Sequence, residues 1–150
     1  MQPKLLSKLR ARSAAIRSQW EALLRVEPVT GPLANPDVLA YLIPNSLEQI
    51  FAELAKPSRE PLSLLATKDY LPACDCRNNP YFAYFIAGKQ ALVEAVVLAQ
   101  AGLPVDEHHP SDVAATMRVV RRLARSEIDA FCGACDHRGV APRCRHALAV

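Results

Sequence analysis

Prolines partition this chain, and the stretch behind each division is spaced for a helix. Proline holds φ near the helical value and has no amide proton, so it suits a first helical turn and breaks a helix interior. The 150 residues contain 12 prolines and only 5 glycines. Behind Pro3, Leu6, Leu9, Ser13, Ile16, Trp20 and Leu23 recur at steps of three and four, one face of a helix running to Val26. Pro28 and Gly31-Pro32 end it. Asn35-Pro36 is an N-cap followed by a first-turn proline, with Val38, Leu39, Leu42, Ile50, Phe51 and Leu54 as the apolar face. Pro44 lies inside this second segment, which is therefore kinked or divided, with Asn45 or Ser46 placed to cap a restart and Glu48 or Gln49 to complete a capping box.

Asn79-Pro80 repeats the cap-and-proline pattern and opens a third segment that Gly102 and Pro104 stop after Ala101. Its expected core face is Phe82, Phe85, Ile86, Val93, Val96 and Val97. The fourth segment starts near Ser111-Asp112, after Pro110, and carries Val113, Met117, Val120, Ala124, Ile128 and Phe131 to an end near Cys132-Gly133. Lys56 to Asn78 is irregular, punctuated by Pro57, Pro61 and Pro72, with room for a short helix over Arg59–Ala66. The tail from Ala134 to Val150 has no period. The expectation is one all-α domain over residues 1–150, an antiparallel four-helix bundle with an irregular Cys-bearing loop and a C-terminal tail.

Composition agrees. A 51% hydrophobic, 22% charged chain has enough apolar surface to build a core and is not disordered. Few glycines and no alternating Val/Ile runs argue against an all-β fold. Lys8, Arg10, Arg12 and Arg17 interrupt any secretory signal near the start. The apolar stretch Ala91–Ala101 contains Glu94 and Gln100 and is too short to span a bilayer. The expected setting is the cytoplasm, away from membranes.

Five cysteines at short spacings, in a reducing compartment, suggest metal or thiol chemistry. The third and fourth segments are each about 22 residues, roughly 33 Å at 1.5 Å per residue, and a short loop joins them, so they run antiparallel. The start of one then lies beside the end of the other. Cys74 and Cys76 precede the third segment, and Cys132 and Cys135 end the fourth. All should meet at one pole, where Cys144 and His146 of the tail can join them. On this reading every cysteine lies at an element end or in a loop and none in an apolar stripe. Zn²⁺ takes four thiolate or imidazole ligands, and Cys132-Gly133-Ala134-Cys135 has the common C-x-x-C spacing, with Gly133 free to turn the backbone around a metal. Cys74-Asp75-Cys76 is tighter than usual. An Fe–S cluster is the alternative cofactor.

Arg118, Arg121, Arg122 and Arg125 share one face of the fourth segment, which suits an anion or an acidic partner, or a solvated surface paired with Glu94 or Glu127. A net charge of +3 is too mild to imply nucleic acid by itself. His108-His109 falls at the opposite pole from the cysteines. Tyr81, Phe82, Tyr84 and Phe85 crowd the start of the third segment, core on one side and free for a ligand or partner on the other. No phosphate-binding glycine loop, G-x-S-x-G elbow, H-E-x-x-H or Glu-x-x-His motif is present.

An early helix with Ile16 and Trp20 four apart, a proline-containing turn, and a second helix rich in Leu and Ile mark residues 4–56. This stretch resembles the N-terminal helical sensor domains of bacterial stressosome co-antagonists and related sensor histidine kinases. The resemblance implies a helical input module that relays a signal through protein contacts. It carries over no catalytic residue and does not account for the cysteines. The leading expectation is a small regulatory or sensor-like protein, more a binding module than an enzyme, with a Cys-ligated metal and a protein partner, a homodimer included. One alternative is a thiol–disulfide protein using Cys132 and Cys135, although low-pKa cysteines favour helix N-termini. The other is nucleic-acid binding through the arginine face and the basic tail.

Overall fold

The computed structural model describes residues 1–27, 34–57 and 79–134. The Lys56–Asn78 connection beyond residue 57, the short helix expected over Arg59–Ala66 and the tail from residue 135 lie outside the described residues. Among the described residues there is no strand, and the secondary structure is all-α. Among the described residues six α-helices stand where the sequence pattern gives four segments: α1 (Pro3–Ala11), α2 (Ser13–Val26), α3 (Pro36–Ala40), α4 (Ile43–Ala55), α5 (Tyr81–Ala101) and α6 (Pro110–Ala134).

The first segment breaks at Arg12. Its amide still donates to the Lys8 and Leu9 carbonyls and its own carbonyl accepts from Ile16, so α1 and α2 follow one another closely. Leu5, Leu6 and Leu9, then Ile16, Trp20 and Leu24, are buried, and the expected Leu23 is only half-buried. The second segment is two helices. Pro44 sits in the first turn of α4, and a proline ring excludes the carbonyl four residues earlier, that of Ala40, where α3 stops. The expected cap at Asn45 or Ser46 is not used, because α4 has already begun at Ile43. Asn35 does cap α3, its Oδ1 accepting the Asp37 amide at 2.9 Å. Val38 and Leu42, expected inside, are exposed, and Ala40, Ile43 and Leu47 are buried instead.

α5 lies between α6 on one side and α1–α2 on the other, and α4 closes against α6 and α1. The face that α5 turns inward differs from expectation. Phe85 and Val96 are buried, but the rest is Tyr84, Ala87, Gly88, Ala91, Leu92, Ala95 and Ala99, while Ile86 and Val97 face out. The cause is size. Trp20 of α2 is fully buried against Gly88, and a Cβ at position 88 would come within 2.2 Å of its Cζ2. The indole Nε1 donates to the Tyr84 carbonyl at 2.9 Å, and the two rings lie 4.8 Å apart. Small residues let the helices approach, and Ile86 and Val97 are left to the other side.

α5 and α6 are antiparallel, tied at both ends of the pair. At one end Gln100 Nε2 donates to the His109 carbonyl at 2.9 Å. At the other, Asn79 Nδ2 reaches the Ile128 carbonyl at 3.4 Å. The buried stripe of α6 is Asp112, Thr116, Val119, Val120, Ala124, Ile128 and Cys132, so its first turns are rotated from the expected Val113 and Met117. Two polar side chains sit inside: Thr116 Oγ1 donates to the Asp112 carbonyl at 2.9 Å, and Asp112 Oδ1 accepts the Gln2 amide at 3.4 Å.

Ala normally stabilises a helix over Gly by about 1 kcal/mol. At position 88 the clash with Trp20 should reverse that sign, and Gly88→Ala should destabilise by about 1–3 kcal/mol. Urea denaturation checks this. The penalty should shrink in a Trp20→Phe background, where the ring is smaller.

Candidate functional site

The pole where α5 begins and α6 ends is built around Asn79. Its Oδ1 accepts the Tyr81 amide at 3.0 Å, which opens α5 as the Asn-Pro pattern requires. Its Nδ2 lies 3.3 Å from Cys132 Sγ and donates to it, besides reaching the Ile128 carbonyl. Asn79 is itself buried, so the whole amide serves to hold the two helix ends together. Beneath it lies an aromatic layer. Tyr81 packs edge-on against Phe131 at 6.0 Å and against Tyr84 at 6.1 Å, and Tyr84 meets Phe85 at 5.0 Å. The Tyr84 hydroxyl donates to Ser46 Oγ of α4 at 2.8 Å. Of the aromatic cluster, Tyr84 and Phe85 are core, and Tyr81 and Phe82 are half-buried.

The meeting of the two helix ends is as expected. The setting of Cys132 is not. It is buried, four residues after Ile128, and completes the apolar stripe of α6. The reason is that α6 continues to Ala134, which makes Gly133 helical rather than a turn. Cys74, Cys76, Cys135, Cys144 and His146 lie outside the described residues. Among the described residues no group of three His, Cys, Asp or Glu side chains comes together.

The arginines of α6 divide. Arg122 pairs with Glu53 of α4, which also takes Lys56. The Lys56 hydrogen bond, with the charges of Lys56 and Arg122, holds the Glu53 carboxyl below the usual range. Arg125 stands 3.9 Å from Asp129. The partners are thus Glu53 and Asp129, not Glu94 or Glu127. Arg121 is exposed and Arg118 half-buried, and neither has a carboxylate partner among the described residues. At the far pole, the His108 ring bonds the Leu103 carbonyl at 3.0 Å, Lys8 reaches the Gly102 carbonyl at 2.7 Å, and Lys4 pairs with Glu107 at 2.7 Å. His108 therefore pins the α5–α6 turn.

No described helix other than α5 is long and apolar enough to cross a membrane, and half of the apolar stretch of α5 is buried inside the protein. Comparison with known proteins finds no matching family model, no matching curated protein and no matching solved structure.

Two outcomes are expected at this pole. Asn79→Ala removes a cap and the link to α6 and should cost about 1–2 kcal/mol in chemical denaturation. Burial raises the Tyr84 hydroxyl well above the usual tyrosine range, against the opposing pull of Ser46, and burial followed by Glu127 raises Tyr81. Folding then favours the protonated phenols. Stability is intact below the unfolded value near 10 and falls as pH rises above it, by up to about 1.4 kcal/mol per unit from Tyr84. Denaturation at pH 9 and pH 11 should show this loss, and Tyr84→Phe should reduce it.

Proposed function

We propose that this chain is a small regulatory or sensor-like protein whose α5–α6 pole gathers cysteine ligands around a metal. Zinc is the first choice and an Fe–S cluster the alternative. In this proposal α1–α2 and α3–α4 count as two broken rods, which with α5 and α6 make an antiparallel four-helix bundle. The protein relays a signal through contacts with another protein, as the resemblance of residues 4–56 to bacterial sensor domains implies, and the cytoplasm is its proposed setting.

One observation carries the proposal: Asn79 donates to Cys132. Cys76 is three residues before Asn79 in the sequence. Cys135 directly follows the last described turn of α6. In this proposal Cys76 and Cys135 join Cys132 at that pole. Cys74 and the tail pair Cys144 and His146 are the remaining candidates. An amide donated to a sulfur is also the kind of outer contact that orients a thiolate ligand. The C-terminal end of a 25-residue helix adds partial negative charge, which favours a cation nearby.

The arginine face supports the nucleic-acid alternative less well, since Arg122 is engaged by Glu53. The thiol–disulfide alternative is less well supported because Cys132 stands at a helix C-terminus, where a thiolate is disfavoured.

The test is metal analysis of freshly purified protein with an absorbance spectrum and a thiol count. About one zinc per chain, no colour and few titratable thiols is the expected result. Chelation should then lower the thermal midpoint, because metal binding is folding free energy. Iron with a visible band would make the site a cluster. No metal with all five thiols free would overturn the proposal.

A further inference from the structure

We infer that the outer face of α5 pairs in parallel with the same face of a second copy of this chain. Opposite the face that packs on Trp20, Ile86, Gln90, Val93 and Val97 form one stripe at steps of 4, 3 and 4. Ile86 is 42% and Val97 52% exposed, Gln90 is exposed and Val93 half-buried. A surface helix in a protein of this size normally turns charged residues outward. Here three of the four outward positions are apolar and the fourth is the uncharged Gln90, and the 4-3-4 spacing is that of a coiled-coil seam in the order d, a, d, a.

The charges beside the stripe choose the occupant and its direction. Lys89 falls at the g position on one flank and Glu94, five residues on, at the e position on the other. In a parallel pair, g of one helix faces e of the next heptad on its partner, so Lys89 of each copy meets Glu94 of the other, twice by symmetry. An antiparallel pair would set Lys89 against Lys89 and Glu94 against Glu94. Lys89 has no carboxylate partner among the described residues. Glu94 accepts only the neutral amides of Gln19 and Gln90, both at 3.1 Å, so its charge is uncompensated within the described residues. Gln90 occupies an a layer, where an amide can donate to and accept from its own symmetry mate, and a polar a layer fixes register. The seam is about 16 Å long at 1.5 Å per residue. It is therefore a small interface, below about 1,200 Å² in total, and the dimer is a weak, concentration-dependent one.

The test is sedimentation equilibrium of the full chain under reducing conditions across the micromolar range. The mass should rise from 16.4 kDa toward twice that value. Lys89→Glu places like charges across the seam and should weaken association by about tenfold. Adding Glu94→Lys should restore it, and circular dichroism should show the same helix content throughout. Val97→Glu should abolish the dimer. A monomer at every concentration, a dimer indifferent to the charge exchange, or binding to phosphatidylcholine vesicles through this face in place of self-association would each overturn the inference. The metal content of the wild-type chain does not bear on any of these outcomes.

Discussion

The indole of Trp20 occupies the space that a side chain at position 88 would need, and most of the packing depends on that. Burying so large a ring releases much apolar surface from water, but its N–H must find a partner. The Tyr84 carbonyl supplies one, four residues before Gly88 on the same helix. This fixes α2 against α5 in rotation as well as in distance. Tyr84, held at the same place, passes the constraint on: its ring stacks near Trp20 and its hydroxyl reaches Ser46 on α4. Through Tyr81 the aromatic layer continues to Phe131 on α6. One tryptophan thus sets the relative position of four helices.

Polar groups finish what the apolar core leaves open. A sheath of hydrophobic contacts tolerates sliding along helix axes, whereas a buried hydrogen bond does not. Asn79 locks one pole by serving α5 and α6 at once. Asp112, Thr116 and the Gln2 amide lock the other, where Lys4 and Lys8 of α1 also close over the α5–α6 turn. The two poles differ in kind. The far pole is held by charges and carbonyls. The near pole presents sulfur beside an amide.

The helical class, the caps at Asn35 and Asn79, the stop at Gly102 and the juncture of α5 with α6 were all legible in the sequence. Each depends on local rules that proline and asparagine obey regardless of surroundings. The division near Pro44 was legible too, though not its position to the residue, because the restart relies on proline's own first-turn preference rather than on Ser46. The faces of α5 and α6 were legible only in part: Phe85, Val96, Val120, Ala124 and Ile128 are buried as expected, and the rest of each face is not. A hydrophobic pattern ranks Ile86 and Val97 above Ala87, Gly88 and Ala91, yet it is the small residues that allow Trp20 to enter. It likewise has no reason to put Asp112 inside. Placing Cys132 outside the stripe had the same source: α6 is longer than its apolar pattern, and four residues past Ile128 is core. Spacing at +4 from Ile128 was the available signal. The meeting of the α5 start with the α6 end was legible because it rests on helix length and direction, which do not depend on rotation.

The apolar character of α5 has two separate causes, and they act on opposite sides. The inner side is limited by volume and is made of alanine and glycine around Tyr84 and Leu92. That choice costs apolar area, since alanine buries little, and the helix recovers it through the tryptophan of its neighbour. The outer side has no such limit and carries isoleucine and valine, which a solvated surface does not require. A bilayer would accept both sides alike, but it would not accept Lys89 and Glu94 flanking the outer stripe near the middle of the helix. A second helix of the same sequence accepts both charges, each opposite its complement. The composition that makes α5 look like a membrane span is therefore better accounted for by a helix with a small-residue core face and a self-complementary outer seam.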